Sequence, residues 1–501
     1  MIDRTNGFQR VTGQQTDSHR RAGIFLSGLC YAIFGCYGEF LAMVDAAEKP
    51  PNIIFIITDD QGYGELSRHG NTNLSTPSLD LLSRQSVNFT NFHASPTCAP
   101  TRSALMTGRH EFRNGVTHTI QERERLRLDA VTLPQLLKTA NYQTGIFGKW
   151  HLGDEDPYQP GQRGFDEVFI HGAGGIGQSY PGSCGDAPGN SYFGPYVWHN
   201  DRFVKTSQFC TDVFFRQAFE WMNVRRQSDE PFFAYISTNA PHAPYVCPDE
   251  YAEPFLQVGF KENEARYYGM IVNIDKNVGQ LLDMLKRWKL DESTIVIFMT
   301  DNGHSIGALY NANMRGAKGT PYMGGTRVPC FVRWIHQFPR GVQVPALTAH
   351  IDLLPTLTEL AGVTVPDSLP VEGRSLVPLL RDPSAPWPDR MLFTHVGRWE
   401  RGKASESKYL RCRVRNTRFT MVSADPKGQK AWELFDLEND PGETTNALEN
   451  HPQVAARLEA AYDEWWESIQ PDLVNEDAVG PDVNPFKERF WKQFPDQKPK
   501  E

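Results

Sequence analysis

The sequence predicts an α/β fold: a large, mostly parallel central sheet flanked by helices, followed by a smaller C-terminal antiparallel sheet with a helix. Three observations predict it. Apolar runs of the fully buried kind alternate with helical patterns. Each run is followed by polar residues suited to one sheet rim. Beyond a proline-rich stretch the pattern changes to short strands joined by turns.

Residues 53–57 form the first strand, 144–147 a weaker second, 232–236 a third and 295–299 a fourth. None alternates apolar with polar, so each is expected to be buried on both faces. Residues 132–139 read as a helix. Residues 264–288 read as a long amphipathic one, with Ile271, Ile274, Val278, Leu281, Leu282 and Leu285 on one face. Residues 153–200 are rich in Gly, Pro and aromatics and read as a long loop over the rim. Pro383, Pro386 and Pro388 mark a boundary. After it, residues 391–396, 409–414, 419–422 and 432–436 read as antiparallel strands, and 452–469 as a helix with Val454, Leu458, Tyr462 and Trp466 on a face. The chain past Pro471 is polar and proline-containing and is expected to wrap the surface or fray. The expected domains are 48–385, 386–470 and a tail, 471–501.

Length and composition agree with this plan. The 501 residues are 40% apolar, enough for two domains sharing one large α/β body. A net charge of −9 without a basic block excludes nucleic acid as a partner and requires a local positive pocket for any anionic substrate. His19, Arg20 and Arg21 precede an apolar run from Ile24 to Val44, and Val44-Asp45-Ala46 resembles a cleavage site. Residues 1–46 therefore read as a removed signal peptide, with export to a periplasm or the outside and no stable membrane span in the mature chain. Gly35-Cys36 is a lipoprotein-like cue, spoiled by Phe34, that leaves lipid anchoring at Cys36 as an alternative. Of eight cysteines, Cys184 and Cys210 could close a loop in such a compartment. The absence of a Cys-x-x-Cys pair argues against structural zinc.

The strand ends carry the chemistry. Asp59 and Asp60 come after the first run, Lys149 and His151 after the second, His242 after the third, and Asp301 and Asn302 after the fourth. In open α/β sheets, ligands bind beyond the carboxyl ends of the strands. Asp59, Asp60, Asp301 and Asn302 offer only oxygen donors, which suits Ca²⁺ or Mg²⁺. Lys149 and Lys318 could clamp the outer oxygens of a tetrahedral anion, and His151 and His242 suit acid–base work. Cys98 opens the run CAPTRSALMTGRH. Pro100 suits the first position of a helix, which puts Cys98 near a helix N-terminus and Arg102 about one turn further on. Three carboxylates, one dication and three cationic side chains leave the pocket positive, despite the acidic chain.

These segments resemble the arylsulfatase-type sulfatases, in that family's order: Pro51 to Asp60, the Cys98 run, Gly148 to Gly153, Thr300 to Gly303, and Lys318 to Tyr322. The resemblance spans roughly Pro51 to Ala361. It implies that a formylglycine-generating or equivalent maturation enzyme oxidises Cys98 to Cα-formylglycine, whose hydrated gem-diol attacks sulfur and forms a sulfo-enzyme. By the same resemblance, Asp59, Asp60, Asp301, Asn302 and modified Cys98 bind calcium. Arg102 holds the formylglycine, Lys149 and Lys318 grip sulfate, His151 serves the gem-diol, and His242 faces the leaving oxygen. Two other readings stay open: a phosphate or phosphonate monoester hydrolase, and a sulfated-glycan-binding protein with unmodified Cys98. The partner expected is a sulfated small molecule or polysaccharide. The Trp, Tyr and Gly of the rim favour a carbohydrate over an aryl sulfate. His304, Tyr310 and Asn313 are expected to contact the alcohol portion.

Overall fold

A computed structural model of the chain describes residues 49–307 and 309–499. The expected signal segment and Cys36 lie outside the described residues. A ten-stranded sheet runs in the order Val342–Val344, Val87–Phe89, Cys330–Arg333, Thr294–Thr300, Asn52–Thr58, Phe232–Ser237, Gln143–Lys149, Glu167–His171, Tyr196–His199, Arg202–Lys205. The five strands from Thr294–Thr300 to Glu167–His171 are mutually parallel. The flanks add antiparallel pairs.

The first strand shows why the apolar runs do not alternate. Ile53, Phe55 and Ile57 enter one core, while Ile54 and Ile56 enter the other on the opposite face. Both faces are covered, so both must be apolar. Helix Glu262–Trp288 buries Ile271, Ile274, Val278, Leu281, Leu282 and Leu285 in the second of these cores. The second sheet orders Leu392–His395, Cys412–Arg415, Phe419–Ser423 and Trp432–Asp436 antiparallel. Helix Pro452–Ile469 contributes Leu458, Tyr462, Trp465 and Trp466 to the core on that sheet.

Three expectations need correction. The segment 153–200 is not all loop, because it contains the strands Glu167–His171 and Tyr196–His199. Both are too short to display a period. The tail does not merely fray: helix Pro485–Gln493 inserts Phe486 and Phe490, one helical turn apart, into the main core. Cys184 and Cys210 are separate, buried, free thiols. Among the described residues, no helix is long and apolar enough to cross a membrane.

Candidate active site

Four neighbouring parallel strands end at one place, where Asp59 and Asp301, just past two of them, meet Lys149 and Ser237, the last residues of the other two. Helix Cys98–Thr107 points its N-terminus at the same place. The helix starts two residues earlier than expected: Cys98 is its first residue, and Pro100 takes the third position rather than the first. That is still a position whose N–H lacks an intrahelical partner. All ten helix residues are buried, and Thr101 Oγ1 donates to the Asp301 carbonyl at 2.7 Å, which fixes the helix to the strand end.

Asp59, Cys98 and Asp301 bring ligand atoms within 4.8 Å of one another, as do Asp59, Asp60 and His242. Each aspartate has a cation. Lys149 Nζ lies 2.6 Å from Asp59, Arg102 Nη2 2.8 Å from Asp301, and Lys318 Nζ 2.5 Å from Asp60. The lysines expected to hold an anion thus rest on carboxylates, the strongest acceptors at hand. Asn302 Nδ2 donates to Asp60 at 2.9 Å. Arg102 also donates to Ser237 Oγ, which in turn donates to the Lys149 carbonyl at 2.8 Å.

Burial pushes Asp59 up to about 6, against Lys149, with Asp60 and Cys98 adding to the rise. Asp301 is likewise raised to about 6 by burial and by Asp59. Burial raises Asp60 too, but Lys318 and His242 overcome it, and the carboxyl falls below its usual range. The Cys98 thiol is pushed up by burial and pulled down further by Lys149 and Lys318, for a net fall. A cation fits this cluster. Asp59 Oδ1 and Asn302 Oδ1 are buried without a hydrogen-bond partner, and the donors are hard oxygens around mutually repelling carboxylates.

The two histidines have defined tautomers. His151 Nε2 faces only acceptors, Glu124 Oε2 at 2.9 Å and the Thr119 carbonyl at 3.0 Å, so it carries the proton. Its Nδ1 is buried and unpartnered. The backbone there has φ = 60°, uncommon for a residue with a side chain. His242 Nδ1 donates to the Ala243 carbonyl at 2.7 Å, which leaves Nε2 free, 3.8 Å from Asp60. Burial lowers both rings to about 4.

A cavity of about 740 Å³ opens over Cys98, His151, His242 and Lys318. Its rim includes Gln178 and Tyr180, from within the expected loop, and Arg123, Arg398, Trp399 and Arg401. His304 does not line it. The residue is 5% exposed and turns its Nδ1 to the Ile306 carbonyl at 2.5 Å. Tyr310 reaches the His69 carbonyl at 3.2 Å, and Asn313 lines a different depression. Sequence reasoning missed Glu124, Ser237 and the arginine rim. Ser237 ends a buried strand, so the strand-end rule reaches it. Glu124 sits in a run of alternating charges that reads as solvated surface.

Comparison with known proteins identifies the family. The sulfatase family model matches residues 51–363, and that of the C-terminal part of N-sulphoglucosamine sulphohydrolase matches 318–466. N-acetylgalactosamine-6-sulfatase of Canis lupus familiaris is 30% identical over 395 residues, 70% of this chain and 69% of that protein. The solved structure of Ps i-CgsB in complex with k-i-k-neocarrahexaose superposes with a TM-score of 0.76 at 26% identity, covering 89% of this chain and 97% of the other. The phosphonate monoester hydrolase of Agrobacterium radiobacter shares the fold at 21% identity and a TM-score of 0.58, covering 84% of this chain and 96% of that one.

Proposed function

Because the chain belongs to the sulfatase family and is a sulfuric ester hydrolase, we propose that it removes sulfate from a sulfated carbohydrate, using residue 98 as formylglycine beside a bound calcium ion. One observation supports this reading above all. Cys98 heads a helix with ligand atoms of Asp59 and Asp301 within 4.8 Å, at the ends of two adjacent parallel strands. Relatives and neighbours point to carbohydrate esters, since one is an N-acetylgalactosamine-6-sulfatase and another was solved with a neocarrahexaose.

Asp59, Asp60, Asp301, Asn302 and residue 98 would hold the ion. A hard dication here, magnesium as well as calcium, offsets the carboxylates and favours negative charge on nearby oxygen. Oxidised to an aldehyde and hydrated, residue 98 offers one hydroxyl to attack sulfur and a second whose deprotonation expels sulfate. Lys149 and Lys318 leave the carboxylates for the sulfate oxygens. Arg102, fixed between Asp301 and Ser237, orients residue 98. His151 keeps its Nε2–H on Glu124, so its free Nδ1 takes a proton. His242 presents Nε2 to the leaving oxygen, and an arriving anion raises its proton affinity against the effect of burial.

Export from the cytoplasm belongs to the same proposal and rests on the N-terminal pattern. Sequencing the mature N-terminus of the exported protein tests it: an intact residue 1 in the cytoplasm rejects it. The chemistry is tested by rates on 4-nitrophenyl sulfate and 4-nitrophenyl phosphate, together with the mass of the Cys98 peptide. Formylglycine is about 18 Da lighter than cysteine. Preference for the phosphate ester would reject the proposal in favour of phosphomonoester chemistry. Saccharide binding with an unmodified thiol and no turnover would reject it in favour of a binding protein.

A further inference from the structure

We infer that the cavity carries a second anion subsite at its rim, formed by Arg398 and Arg401 with Arg411 behind them, which takes a further sulfate or carboxylate on the same saccharide. The inference rests on the sulfatase reading and adds a substrate class to it: sulfate esters that bear a second negative charge.

The first support is unbalanced charge. Arg123, on the same rim, has a carboxylate, Glu476, at 3.6 Å. Among the described residues, Arg398, Arg401 and Arg411 form no ion pair. Arg411 lies across the strand pair from Val396, whose N–H donates to its carbonyl at 3.1 Å. Its Nε is buried without a partner, and burial together with the charge of Arg398 holds its guanidinium below the ordinary range. Three guanidiniums without an ion pair, on a rim whose one acidic lining residue among those described is Glu400, mark a place that attracts an anion.

The second support is rigidity. Ordinary surface arginines swing freely and pay for binding in lost freedom. Here the loop after strand Leu392–His395 is pinned. Trp399 is 3% exposed and donates from Nε1 to Glu476 at 2.8 Å. Its carbonyl accepts from Arg123 at 2.8 Å and His118 at 2.9 Å. Arg398 holds a left-handed backbone at φ = 63°, and its Nη2 donates to Thr119 Oγ1 at 2.7 Å. Gly397 is required beneath it, because a Cβ there would meet the Thr117 carbonyl at 1.9 Å.

The third support is room. A volume of about 740 Å³ far exceeds one sulfate group and links the Cys98 floor to this rim. Of the described residues lining it, only Glu400 is acidic, and it is exposed.

The test is calorimetric binding to the full chain carrying Cys98→Ala, loaded with calcium. Three probes are used: N-acetylgalactosamine 6-sulfate with one anion, N-acetylgalactosamine 4,6-disulfate with a second sulfate, and the chondroitin 6-sulfate disaccharide with a carboxylate. The expected result is at least about tenfold tighter binding of one two-anion probe than of the monosulfate, as one charge-assisted contact gives. Arg398→Gln or Arg401→Gln should remove most of that ratio, and Glu400→Gln should enlarge it. Which two-anion probe gains distinguishes sulfate from carboxylate. Equal affinity across the probes, no detectable binding of either two-anion probe, or a ratio unmoved by all three substitutions overturns the subsite. Turnover of 4-nitrophenyl sulfate by the wild type is measured separately. Its loss strikes the sulfatase reading, whereas the binding ratio strikes the subsite.

Discussion

At the floor of the cavity Asp59, Asp301, Lys149 and Arg102 are shut away from water, and each of the three aspartates has a cation within hydrogen-bond reach. At its rim Arg398 and Arg401 are exposed and have no carboxylate partner among the described residues. The floor is built from strand ends and one helix N-terminus, the rim from loops, one of them on the C-terminal sheet. A charge-balanced, dehydrated floor suits one fixed reaction, because any unpaired charge there would be costly. A solvated, unbalanced rim can vary without harming the fold, and it suits the choice of substrate.

Changes at the floor should therefore cost chemistry, and changes at the rim should cost selectivity. The largest expected effect is Cys98→Ala, which should lower kcat for 4-nitrophenyl sulfate by at least about a thousandfold, with an unchanged far-UV spectrum. Substantial multiple turnover by this variant would contradict its role. Next come two glycines. Gly148 has φ = 116°, and a Cβ would meet the Ser237 carbonyl at 1.8 Å, so Gly148→Ala should cost about 3 kcal/mol in thermal unfolding and displace Lys149. Gly397→Ala should instead damage two-anion binding and leave the response to calcium intact.

That response is the third prediction. Calcium at a hundred times its Kd should stabilise the wild type by about 2.7 kcal/mol. Asp59→Asn and Asp301→Asn should lose the shift in Tm, whereas Arg401→Gln should keep it. Loss of the shift in Arg401→Gln alone would erase the distinction between the two regions. The smallest effect concerns Glu124. With His151 held to about 4, its base form persists through neutral pH, so the acid limb that this ring contributes to kcat lies near that value. Glu124 raises this ring's proton affinity. Glu124→Gln should therefore move the acid limb to lower pH and, by freeing the tautomer, slow turnover about tenfold. An unmoved limb would remove Glu124 from the site.

The same division governs how much of the molecule is legible in the sequence. Buried parallel strands announce themselves as unbroken apolar runs, and the residues just past their carboxyl ends must sit at the sheet's rim. Asp59, Asp301 and Lys149 are legible for that reason. Glu124 is not, because its burial depends on His151 and the Cys184 N–H, which only the folded chain brings to it. Arg398 and Arg401 are hidden for the same cause, since nothing local marks a loop of the second sheet as the wall of a cavity in the first. His304 is a different case. Its place beside Asp301 and Asn302 promises contact with substrate, and in the fold its Nδ1 meets the Ile306 carbonyl while the residue stands outside the cavity lining.

Residue 98 carries the central claim. The direct measurement is the rate on 4-nitrophenyl sulfate across preparations whose fraction of formylglycine at position 98 has been determined by peptide mass. The expected result is a rate proportional to that fraction and vanishing with it. A full rate from protein whose Cys98 is entirely unmodified would contradict it.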